Sequence, residues 1–250
     1  MDLFLQAGGC LLLPFIGTAI GAAAAFLPLK KLFGGRTLLG FASGVMLAAA
    51  VWSLLLPAEE MASAAGSLGW AHASGGFLCG AGFLLLARGL ASRGEEKGNA
   101  FGEKKASLLF FAVTLHNLPE GMAVGVALAG ALAADSPLTM GEAFALALGI
   151  AIQNLPEGAV VASPEDSSGK AFGRGVLSGV VEPLGALLAW GLVSILTPLL
   201  PFILSFAAGT MAGVTVCELI PEAVSHKEGV PGTVGACFGF ALMMALDMAL

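Results

Sequence analysis

The chain has 250 residues, 57% hydrophobic and only 11% charged, with mean hydropathy +0.92 and net charge −6. Soluble domains carry about 25% charged residues, so this composition excludes a soluble globular protein and makes a lipid bilayer the solvent. No nucleic acid is expected among its partners, because the basic residues are few and, as shown next, spread over the connections on one side.

Eight apolar stretches, each roughly 20 residues, are long enough to cross a hydrocarbon core of about 30 Å as helices. In chain order they are 4–29, 38–57, 70–92, 106–133, 138–163, 172–196, 199–221 and 230–250. The expected fold is therefore all-α, a polytopic membrane protein with eight transmembrane helices. The first stretch opens as MDLFLQAGGC, without a basic leader segment, so no cleavable signal is expected. All eleven Lys and Arg fall in alternate connections or at their edges: Lys30, Lys31 and Arg36; Arg88, Arg93, Lys97, Lys104 and Lys105; Lys170 and Arg174; Lys227. The intervening connections hold Glu59, Glu60, Asp135 and Glu142 instead. Under the positive-inside rule this split puts both termini outside the plasma (inner) membrane.

The second stretch begins FASGVM at Phe41 and the seventh FAAGTM at Phe206, an offset of 165 residues that aligns Gly44 with Gly209 and Met46 with Met211. The two run in opposite directions by the basic-residue pattern. The third and eighth share a weaker likeness, GGFLCGAGF and GACFGFALM. The expected organisation is one transmembrane domain, 1–250, in a 3+2+3 inverted-repeat arrangement. A first three-helix repeat (1–92) and an inverted one (172–250) bracket a central pair (106–163). That central pair carries HNLPEG at 116–121 and QNLPEG at 153–158.

On a helix, residues three and four apart share a face, so His116, Asn117 and Glu120 project together, as do Gln153, Asn154 and Glu157. Pro119 and Pro156 lack an amide hydrogen and free the carbonyls of Leu115 and Ile152. Irregular backbone at membrane depth is tolerated where it lines a cavity or is buried in protein. At about 1.5 Å per residue both motifs reach mid-depth, where His116, Glu120, Gln153 and Glu157 can converge on one cation. A third carboxylate, Glu182, precedes Pro183 in the sixth stretch. Each ionised group at the bilayer centre costs about 2.5 to over 10 kcal/mol, so the three are either protonated or neutralised by a cation. Imidazole, carboxylate and amide oxygens suit zinc, iron, manganese and similar divalent ions. Asn117, Asn154 and Glu182, bridged by Glu120 and Glu157, form an expected second position. The four cysteines, Cys10, Cys79, Cys217 and Cys237, are scattered singly, without a CxxC pair.

HNLPEG on the fourth of eight spans and QNLPEG on the fifth resemble the signature of the ZIP (Zrt/Irt-like) family of divalent-metal transporters. The glutamine opening the second motif is similar to the GufA-like branch. Span number, outside termini and the Glu182–Pro183 dipeptide also fit, so the likeness covers the whole chain. It implies metal movement into the cytoplasm through a binuclear centre, with His116, Glu120, Gln153 and Glu157 as one site and Asn117, Glu120, Asn154, Glu157 and Glu182 as the other. The likeness fails at two places. Position 154 is Asn where closely similar members carry Asp, which weakens the second site. The connection RGEEKGNAFGEKK lacks the histidine-rich run of many relatives.

Ser53 and Asp247 near the outer ends of their spans are expected entrance groups. Cys217 and Glu218 near the inner end of the seventh are expected exit ligands, with Glu222 and His226 beyond, while Met46 and Met211 are core residues or sulfur ligands. Zinc is the expected cargo, with Fe2+, Mn2+ and Cd2+ as alternatives; the partners are the metal and the bilayer, a homodimer is allowed, and no bound cofactor is needed. Alternating access is the expected mechanism. A divalent charge moving inward across 100 mV gains about 4.6 kcal/mol, at roughly 2.3 per charge, and no GxxxxGK[ST] is present to bind a nucleotide. The rival readings are a selective metal channel and an intramembrane metalloenzyme. The second is disfavoured because HNLPE is HxxxE, without the glutamate base of HExxH, so the chain is read as no enzyme.

Overall fold

The structure, a computed structural model, describes residues 3–28, 32–93, 100–132, 139–162, 167–225 and 229–249. Lys30, Lys31, Lys97, Asp135, His226 and Lys227 lie outside the described residues, as does 94–99 of the connection noted above. Among the described residues eight long helices follow one another: α1 (Leu3–Ala22), α2 (Gly35–Ala64), α3 (Gly69–Arg93), α4 (Ala100–Leu132), α5 (Met140–Ala162), α6 (Ser168–Gly191), α7 (Val193–Val224) and α8 (Val230–Ala249). Among the described residues there is no strand. Seven are long and apolar enough to cross a membrane, and α4, which carries HNLPEG, packs among them against α5, α6 and α7. The protein is a multi-pass membrane protein.

Leu12, Ile16 and Ile20 of α1, Leu78, Leu85 and Leu86 of α3, and Leu184, Leu187 and Leu188 of α6 all point outward. Their exposure suits lipid. The polar groups are turned inward: Thr18, His116, Asn117, Glu120, Asn154, Glu157 and Glu182 are all buried.

Two of the expected spans run past their prolines. The second and seventh were expected to stop near Pro57 and Pro221. Instead α2 widens into a π turn at Ala50–Leu55 and continues to Ala64, and α7 does the same at Thr215–Leu219 and continues to Val224. Each proline falls at the start of the segment after the wide turn, where its missing amide interrupts no regular ladder. The sixth and seventh spans also shift, since α6 ends at Gly191 and only Leu192 separates it from α7. The Pro198 expected between them sits instead in a 3-10 turn, Thr197–Leu199, inside α7.

The main pairings join helices that are not neighbours in sequence. α2 packs on α8, α3 on α7, α1 on α5 and α4 on α6. Close approach is possible because small residues face backbone. A Cβ on Gly80 of α3 would collide with the carbonyl of Phe206 on α7, and one on Gly239 of α8 would collide with that of Phe41 on α2. Phe41 and Phe206 are the residues aligned by the 165-residue offset. The π turns begin at Ala50 and Thr215, again 165 apart.

Candidate metal centre

α4 and α5 continue unbroken through Pro119 and Pro156. The glycine closing each motif sets how near the flanking helices come. A Cβ on Gly121 would strike the carbonyl oxygen of Glu182 on α6, and one on Gly158 would strike that of Thr18 on α1. Motif and third carboxylate are thus brought together by backbone contact, which explains the glycine of NLPEG in packing as well as in sequence.

His116, Glu120 and Glu157 meet at the centre of this packing. The His116 Nε2 atom lies 3.2 Å from Glu120 Oε1 and 2.9 Å from Glu157 Oε2. One ligand atom from each of the three falls within 4.8 Å of the others. All are at most 3% exposed. Both ring nitrogens and all four carboxylate oxygens nevertheless have no hydrogen-bond partner among the described residues. The ring Nε2 thus stands at ion-pair distance from both carboxylates, while His116 Nδ1 has no hydrogen-bond partner among the described residues. Buried polar atoms are ordinarily paired, because leaving them bare costs several kcal/mol at the upper end. One imidazole and two carboxylates are suited to a first-row divalent ion.

Gln153 has a different neighbourhood. It is half-buried, and its Nε2 donates to Oδ1 of Asp247 on α8, which also accepts from Ser53 Oγ of α2 at 2.9 Å. The structure therefore joins three residues that the sequence distributed between a ligand and two entrance groups. Asn117 and Asn154 behave as a matched pair. The Asn117 Nδ2 donates to the carbonyl of Ser178 at 3.0 Å and the Asn154 Nδ2 to that of Pro14 at 3.4 Å, while both Oδ1 atoms are buried and unpartnered among the described residues. Glu182 is fully buried; its Oε1 accepts from Thr18 Oγ1 at 2.5 Å and its Oε2 has no partner among the described residues. Thr18 was missed in the sequence, where it stands alone in the Gly- and Ala-rich stretch GTAIGAAAA. A signal was available, since Pro14 and Thr18 precede Ser178 and Glu182 by the same 164 residues.

Met46 and Met211 are fully buried in the main apolar core, with Thr215 Oγ1 3.9 Å from the Met46 sulfur. Cys217 is half-buried and Glu218 is buried, both on the π turn of α7, while Glu222 is exposed. Cys10 is buried, and Cys79 and Cys237 are exposed.

Residues 92–247 match the family described as ZIP Zinc transporter. The chain is 34% identical to zinc transporter ZIP11 of Xenopus tropicalis, over 93% of this chain and 94% of that protein. It is 40% identical to zinc transporter ZIPB of Bordetella bronchiseptica, over 94% and 78% respectively. With zinc transporter GufA of Myxococcus xanthus the identity is 38%, over 80% of each.

Proposed function

The chain belongs to the ZIP zinc transporter family, and from that premise we propose that it carries divalent transition metals, zinc first, across the membrane through His116, Glu120 and Glu157. The observation that carries this reading is the convergence of three buried ligand side chains, with one ligand atom from each of His116, Glu120 and Glu157 within 4.8 Å of the others. A dehydrated divalent ion held there would neutralise the two carboxylates. The family named for zinc transport, and relatives named as transporters, support a carrier over an enzyme.

A second metal sits beside the first, held by Asn117 Oδ1, Asn154 Oδ1 and Glu182 Oε2, with Glu120 and Glu157 shared. The support is that all three atoms are buried and unpartnered among the described residues. Asn154 contributes no charge, so this position is the weaker of the two. The protein is built as inverted halves, α1–α3 and α6–α8, around α4 and α5. The repeated pairings of α2 with α8 and α3 with α7, and the matched π turns, support that reading.

Transport runs inward by alternating access. The bonded group of Ser53, Asp247 and Gln153 stands at the outer approach, where metal exchanges water for carboxylate and amide oxygens before it meets His116. Release passes Glu218. Uptake of radioactive zinc into proteoliposomes tests the whole reading. Saturable uptake in the wild type and a loss of at least about a hundredfold in Glu120→Ala are expected, since even the outer partners of metal ligands are worth 10–100-fold. Empty wild-type vesicles from a protein that still binds zinc would refute transport.

A further inference from the structure

Thr18 lies on α1, yet its hydroxyl reaches a carboxylate of α6. It is 1% exposed and donates to Glu182 Oε1 at 2.5 Å, a length typical of a charge-assisted O–H···O bond. Its other contact, to the carbonyl of Pro14 at 3.4 Å, is at the limit of a hydrogen bond. The side chain has little freedom to turn away. Its Cβ and Cγ2 lie 3.0 Å from where a Cβ on Gly179 would stand, and its own carbonyl is pressed against Gly158. A β-branched side chain already has few χ1 states, and α5 and α6 close on it from two directions. The hydroxyl is thus fixed by packing before any metal arrives.

The repeat makes its position informative. Asn154 donates to the carbonyl four residues before Thr18, and Asn117 donates to the carbonyl four residues before Glu182. Gly158 rests on the carbonyl of Thr18 as Gly121 rests on that of Glu182. Thr18 therefore occupies on α1 the place that Glu182 occupies on α6. One side of the cluster carries a carboxylate, and the other carries the hydroxyl that holds it.

We propose that Thr18 is a positioning residue for the second metal position: by binding Glu182 Oε1 it presents Oε2 as the ligand atom and sets the affinity of that position for a divalent cation. This rests on the two-metal reading above. Without the hydroxyl, Glu182 regains its rotamers, and ordering it again is charged against metal binding. The first position, built from His116, Glu120 and Glu157, does not depend on it.

Calorimetric titration of the purified, detergent-solubilised protein with zinc reads both positions without requiring transport. Thr18→Val keeps the shape and removes the hydroxyl, Thr18→Ser keeps the hydroxyl, and Thr18→Ala serves if the valine variant does not fold. Thr18→Val is expected to weaken the second zinc by about tenfold, the scale of one hydrogen bond to a charged group, and to leave the first within about twofold. Thr18→Ser should restore the second affinity. In a Glu182→Ala background, Thr18→Val should have no further effect, as expected for two residues acting through one contact. Equal weakening of both positions, failure of serine to restore the second, or an undiminished valine effect without Glu182 would overturn the assignment. So would a wild type that binds a single zinc, an outcome that leaves the transport reading standing. Two bound zincs in a protein that moves none through vesicles would sink transport and leave Thr18 where it is proposed.

Discussion

The two motif copies share NLPEG and differ in the residue that precedes it, and that residue decides what each helix does. His116 of α4 is fully buried within 3.2 Å of both Glu120 and Glu157. Gln153 of α5 is half-buried and bonded to Asp247 of α8, which is bonded in turn to Ser53 of α2. The shared part behaves alike in both copies: each asparagine donates to a carbonyl of a flanking helix, and each glycine rests on the backbone one turn further along that helix. Identical packing residues thus build a symmetric frame. Both glutamates reach the cluster, and the one non-identical position then adds an imidazole to it from α4 while Gln153 of α5 is tied to α8.

The sharpest way to break this comparison is to remove the two leading residues separately. His116→Ala is expected to lower zinc affinity by at least about a hundredfold, since even the outer partners of metal ligands are worth 10–100-fold. Gln153→Ala should cost about tenfold or less. Titration of the purified variants compares them directly, and equal losses would mean that the two copies contribute equally despite their different neighbours.

The next effect concerns what the copies share. Gly121→Ala and Gly158→Ala each push a methyl into a backbone carbonyl, of Glu182 or of Thr18. Forced overpacking of this kind costs about 1–3 kcal/mol. Both variants should melt earlier in detergent by similar amounts. A marked inequality would show that the frame is not symmetric in energy.

The smallest effect belongs to the tether of the second copy. Asp247→Ala removes the partner of both Gln153 and Ser53, and two hydrogen bonds at about 0.5 kcal/mol each, the low end of the net range, correspond to about fivefold in an equilibrium. The KM for zinc uptake should rise by about that factor with the maximal rate nearly unchanged. A collapse of the maximal rate instead would make Asp247 a group used in the moving step.

Much of this was legible without coordinates. Hydropathy marked eight spans, and the i, i+4 spacing of His116 and Glu120 put imidazole and carboxylate on one face because helical periodicity is a local property. The prolines at 57 and 221 misled the span ends, because the π turns that accommodate them depend on packing and leave no mark in propensity. Thr18 stayed hidden for another reason. A lone threonine in a glycine-rich helix is an ordinary packing residue until the helix carrying Glu182 is laid beside it.

The sequence by itself determined the solvent, the number of helices, the repeated motif and the carboxylates that demand neutralisation, since each follows from composition or from spacing within one helix. Only the tertiary structure decided which donors share a centre: that Glu157 of α5 closes on His116 of α4, that Gln153 is bonded to Asp247, and that Thr18 holds Glu182. Those contacts join residues up to 164 positions apart. They are fixed by how closely glycine lets backbones approach, and that distance is a property of pairs of helices, which no single stretch of chain contains.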